Sequence, residues 1–148
     1  MDFGRMWRGV RGAASSSWGG YRVGVNAALT AFPYNVGLAW RQGGLRRMPS
    51  VFGMTYDSFV RRMPRDDGFA TFGYFSGMAS PILAGAAAYS GLANLRRGRY
   101  GRALMLLGAG AGLTGLMGYS SLLNWRDART ERMWNQYEEF RRQADFDL

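Results

Sequence analysis

The chain has 148 residues and a formal net charge of +9, and all 19 of its basic residues are arginine. Histidine and cysteine do not occur, which excludes thiol and imidazole catalysis, disulfides and the usual ligands of zinc and haem. The ten carboxylates are scattered apart from the adjacent pairs Asp66–Asp67 and Glu138–Glu139, so neither a metal site nor a cofactor is expected.

Arginine in excess suits either nucleic-acid phosphates or the ends of membrane helices. The distribution separates the two. The pairs Arg46–Arg47, Arg61–Arg62, Arg96–Arg97 and Arg141–Arg142 bracket long runs without charge. That is the layout of an all-α membrane protein with phospholipid, including cardiolipin, at its arginine clusters and no nucleic-acid partner.

Residues 1–20 open the chain with an amphipathic pattern. Phe3, Met6, Trp7 and Val10 share one side of a helical wheel, and Arg5, Arg8 and Arg11 the other. Alanine and serine follow, and Asp2 is the sole acid before Asp57. The segment has the character of a mitochondrial transit sequence, and equally that of a surface helix.

Residues 21–40 contain the uncharged run Val23–Trp40, in which Asn26, Pro33 and Asn35 all burden a lipid-facing helix. A membrane-associated helix and a third transmembrane helix both fit. Residues 41–67 form a polar, turn-rich connector with Pro49 and Pro64, and one short amphipathic helix is expected around Thr55–Met63.

Gly68–Leu95 carries no charge from end to end. At ~1.5 Å per residue it is about 42 Å long, more than the roughly 30 Å of bilayer hydrocarbon. Its aromatic start, Phe69, Phe72, Tyr74 and Phe75, suits the interface belt. Pro81 is expected to bend this helix, with Ser76 or Ser80 compensating the freed carbonyl. Residues 96–102, "RRGRYGR", hold four arginines, each costing ~2.5–3.5 kcal/mol at mid-membrane, so this loop lies outside the hydrocarbon. Residues 103–125 are again uncharged and long enough to span. Two such segments joined by so short a loop form a transmembrane helical hairpin, with a soluble helical pair as the bland alternative. Arginine density near the span ends favours the loop on the matrix side and the tail in the intermembrane space.

Small residues recur along both spans. Gly77, Ser80, Ala84, Ala87 and Gly91 repeat at helical spacing in the first, and Gly108, Ala111, Gly115 and Gly118 in the second. In lipid such residues let helix backbones approach closely, so these two seams are the expected contact face of the hairpin. A phosphate-binding role for "GAGAG" lacks the preceding strand and the following Lys-Ser/Thr. Residues 126–148 turn polar while keeping an apolar stripe of Met133, Tyr137, Phe140 and Ala144, with Trp134 beside it. A short helix cannot cover such a stripe within the chain, so these residues are expected to touch a partner.

The small-residue span ending "AYSGLANL", the loop "RRGRYGR", the second span ending "GYSS" and the tail "WRDARTERMWNQYEEF" together resemble the two-helix accessory subunits in the membrane arm of mitochondrial NADH:ubiquinone oxidoreductase. The resemblance covers residues 83–140. It implies a non-catalytic supernumerary subunit of complex I, in the respiratory chain of the mitochondrial inner membrane, supporting assembly among other subunits. "GAGAGLTGLMG" also resembles the glycine-rich hairpin proteins that shape cristae, and an accessory subunit of the ATP synthase dimer is a further alternative. No enzyme activity is expected: neither serine nor carboxylate sits in a nucleophile or acid–base setting.

Overall fold

In the computed structural model the backbone is described for residues 3–146, and the side chains for residues 4–133 and 135. The described residues are helical apart from the short connections 63–67 and 97–99, and contain no strand. Helix α1 (Phe3–Gly43) leads through a three-ten turn (Gly44–Arg47) into α2 (Met48–Arg62), followed by α3 (Gly68–Arg96) and α4 (Tyr100–Phe146). Three of the four helices are long, and one of them, over Tyr100–Met133, is long and apolar enough to cross a membrane.

Several expected boundaries dissolve. The transit-like segment and the uncharged run after it are one helix of 41 residues, continuous through Pro33. The polar connector is largely folded, because α2 starts at Met48 with Pro49 in its first turn, where a proline's missing N–H costs nothing. The charged tail continues α4 without a break.

Local chemistry fixes the ends of α3. Asp67 caps its start, with Oδ1 accepting from the Phe69 amide at 2.9 Å and the Ala70 amide at 3.4 Å. At its end the Gly98 amide donates to Leu95 O and the Arg99 amide to Asn94 O. Gly98 has φ +70, the left-handed conformation that closes a Schellman motif and that glycine adopts without strain. The chain therefore reverses within three residues, and α4 packs antiparallel to α3.

The most extensive helix contact, however, joins α1 to α3. It is built from two GxxxG pairs, Gly20 and Gly24 on α1 and Gly73 and Gly77 on α3. A Cβ on Gly20 would fall 1.9 Å from Ala70 O, one on Gly24 2.1 Å from Tyr74 O, one on Gly73 1.9 Å from Ser17 O and one on Gly77 2.3 Å from Tyr21 O. Each glycine thus admits the backbone of the opposite helix. Beyond this crossing α1 turns its buried stripe, Ala27, Ala31, Asn35 and Ala39, toward α2. There the Asn35 amide donates to Thr55 Oγ1 at 3.1 Å between two buried side chains, and Tyr74 Oη donates to Phe59 O at 2.7 Å.

The packing of α2 bears on the uncharged run of α1. Arg62 Nη1 donates to Thr30 Oγ1 at 3.3 Å, which sets a guanidinium beside the middle of residues 23–40. Val25, Ala27, Ala31, Asn35 and Ala39 of this run are buried within the fold, while Val23, Leu29, Phe32, Tyr34 and Trp40 are exposed.

The glycine contacts give a direct test. Gly24→Ala or Gly73→Ala should overpack the α1–α3 crossing and destabilise the fold in mild detergent by ~1–3 kcal/mol. Gly115→Ala, whose Cβ would meet nothing within 4 Å, should be neutral or stabilising by up to ~1 kcal/mol. Chemical denaturation of the three variants checks this; equal losses at all three positions would contradict the contact assignment.

Candidate functional site: the contact faces and a polar collar

The structure divides the first predicted seam between two partners. Gly77 and Ser80 face α1, where the Ser80 hydroxyl accepts from Tyr21 Oη at 3.1 Å and donates to Ser76 O at 2.9 Å. Ala84, Ala87 and Gly91 face α4. Gly91 receives the Leu107 side chain, and a Cβ on Gly110 would lie 3.3 Å from Ala84 O and 3.5 Å from Ala87 Cβ. All five positions lie in helix contacts, but the seam serves α1 at one end and α4 at the other.

The second predicted seam is corrected. Gly108, Ala111, Gly115 and Gly118 are exposed, and a Cβ on any of the three glycines would meet nothing within 4 Å. The contact face of α4 runs instead through Ala103, Leu107, Gly110, Leu113, Met117 and Ser120. The reason is steric. Leu107 fills the hollow left by Gly91, and Met117 joins Tyr21, Val25 and Ala84 in the small core, with Trp18 and Leu113 at its edge. Side chains of α4, not its glycines, thus fill the space that the small residues of α3 leave. Met133 is exposed, and the side chains of Trp134, Tyr137 and Phe140 lie outside the described residues.

Where α1, α3 and α4 converge, polar and aromatic side chains form a collar that the sequence did not announce. Arg22 Nε donates to Asn124 Oδ1 at 3.0 Å, and Asn124 Nδ2 donates back to Arg22 O at 3.1 Å. Arg22 also pairs with Asp127. Trp18 stacks between Tyr21 at 5.5 Å and Tyr119 at 6.2 Å, and Arg129 lies 5.5 Å over the Trp125 ring. Arg22 precedes the uncharged run of α1, Asp67 that of α3, and Arg126 follows that of α4. Arg22 reaches the end of the uncharged part of α4 through Asn124 and Asp127, and Asp67 meets α1 at Ser16, six residues before Arg22. An apolar groove of about 1240 Å³ continues from the collar between α1 and α3, lined by Val10, Ala13, Phe69 and Phe72 with Asp66 and Asp67. Among the described residues no group of three acidic side chains is arranged to hold a metal ion.

The carboxylates of the collar titrate low. The hydrogen bond from Arg22 holds the Asp127 carboxyl below its ordinary range, against a smaller opposing effect of desolvation. The Ser16 hydroxyl does the same for Asp67, aided by the Phe69 amide. Comparison with protein-family models, with curated proteins and with solved structures finds no match.

A carboxyl whose folded pKa is lowered adds stability above its ordinary range, and this is lost as pH falls through the lowered value. The α1–α4 clasp should therefore be closed at neutral pH and loosen only in strong acid. The chain has no cysteine, so spin labels at Gly19→Cys and Leu122→Cys report this distance cleanly. A narrow distribution at neutral pH, broadened already there by Asp127→Asn, is expected. An unchanged distribution in Asp127→Asn would show that the pairing does not hold α1 to α4.

Proposed function

We propose that this chain is a non-catalytic structural subunit of a large assembly in the mitochondrial inner membrane, with α3 and α4 crossing the bilayer as an antiparallel hairpin. The observation that carries the reading is the distribution of bulk on that hairpin. On α3 its inner contacts are made by the small residues Ser80, Ala84, Ala87 and Gly91, while Phe72, Phe75, Ile82, Leu83, Leu104, Met105 and Leu122 are exposed. Water penalises such an arrangement by ~25 cal/mol for each Å² of exposed apolar surface; lipid or the apolar flank of another subunit does not. The collar supports the same reading. Tryptophan, tyrosine and arginine gathered at one level, about 36 Å along α4 from the basic turn, match the two interfaces of a bilayer.

Within this reading α1 packs against the hairpin with its middle shielded by α2, and is membrane-associated rather than spanning. The pairing of Arg22 with Asp127 puts the N-terminal part of α1 and the tail of α4 on the same side, opposite the basic turn. Exposed Met6, Trp7 and Val10 at one extension and Met133 at the other supply apolar contacts for neighbouring subunits. The resemblance over residues 83–140 makes the membrane arm of complex I the first candidate assembly.

The open glycine face of α4 favours a second reading, a self-associating hairpin that shapes cristae. One experiment separates the two. Mitochondrial membranes solubilised in mild detergent and resolved by native electrophoresis should show the chain co-migrating with complex I. Recovery only as a free monomer would overturn the subunit reading; a ladder of homo-oligomers apart from any respiratory complex would favour the second, and co-migration with the ATP synthase dimer would reassign the assembly.

A further inference from the structure

We propose that the turn between α3 and α4 is a binding site for an anionic phospholipid, resting on the membrane reading above. Its phosphate sits among Arg97, Arg99 and Arg102, and its acyl chains run along Leu95, Leu104 and Met105. Three observations point there. First, among the described residues no carboxylate pairs with an arginine of this turn. The sequence has no carboxylate between Asp67 and Asp127, and these mark the far ends of α3 and α4, about 43 Å and 38 Å of helix away. Other arginines are already engaged: Arg22 with Asp127, Arg62 with Thr30 and Arg129 with Trp125.

Second, the turn is concave. Arg99, Tyr100, Gly101 and Arg102 line a shallow, open hollow of about 450 Å³. The first turn of α4 contains no acid, so the positive end of its dipole adds to the field of the guanidinium groups. Third, the surface directly beneath is apolar and open, with Leu104 71% and Met105 70% exposed. Cations above exposed aliphatic side chains complement a phosphate joined to acyl chains. Neither free phosphate nor a nucleic acid would use the lower half.

The full-length chain is reconstituted in phosphatidylcholine bilayers containing a minor fraction of cardiolipin. The cardiolipin retained after purification in mild detergent is then measured by mass spectrometry. Enrichment over the bulk ratio is expected. The pair Arg99→Gln and Arg102→Gln should lower it by about fivefold per arginine removed, with helicity unchanged by circular dichroism. The pair Arg46→Gln and Arg47→Gln, which removes the same charge from the three-ten turn, should leave it intact. Insertion without enrichment, or an equal loss from both pairs, overturns the site while leaving the membrane reading standing. Failure of the wild-type chain to insert even into pure phosphatidylcholine overturns both.

Discussion

Backbone-to-backbone contact between α1 and α3 is the constraint on which the other contacts depend. Four glycines let the two helices meet at a separation that any Cβ would forbid. Close approach brings Tyr21 to Ser80 and stacks Trp18 against Tyr119, so α4 is gripped by the same α1 residues that touch α3. It also carries Arg22 to Asn124 and Asp127. Widening the crossing by one methyl group would loosen every one of these contacts. The two GxxxG pairs are thus the hub, and the α3–α4 turn only keeps the hairpin together.

Much of this was legible in the sequence, and the failures have physical causes. The ends of the apolar helices were readable because charge stops abruptly at Asp67, Arg96, Arg102 and Arg126. The α3 seam was readable because bulky residues alternate with small ones there, leaving one smooth face. Residues 108–112 read GAGAG, small on every azimuth, so spacing alone could not choose a contact face on α4. Leu107 and Met117, filling hollows opposite Gly91 and Ala84, decide it. Gly77, expected to face α4, meets α1 instead, and the reason is related. Gly20 and Gly24 lie beside Arg22, and a motif straddling a charge does not look like a membrane contact until the charge finds Asn124 and Asp127.

The collar shows why the hub lies near one end of the bundle. A cation close to a close-packed crossing must be hydrogen-bonded, and Arg22 meets that need with partners that only the polar end of α4 supplies. The crossing and the boundary of the uncharged segments therefore coincide. Beyond it the chain keeps little for itself: its accessible surface is 11469 Å², against about 7,500 Å² for a globular protein of this mass. A small core and wide exposed apolar flanks are what the proposed subunit role would require.

The most direct test of the proposed hairpin is cysteine accessibility along α4 in native membranes. Single cysteines introduced one at a time from Leu104 to Thr130 would be exposed to a membrane-impermeant maleimide. The account expects uninterrupted protection through the uncharged stretch, ending beside Trp125, with labelling resuming at Arg129. Labelling that recurred every third or fourth residue between Leu104 and Leu122, on the face holding Gly108 and Gly115, would mean that water wets this helix, and the membrane hairpin would be wrong.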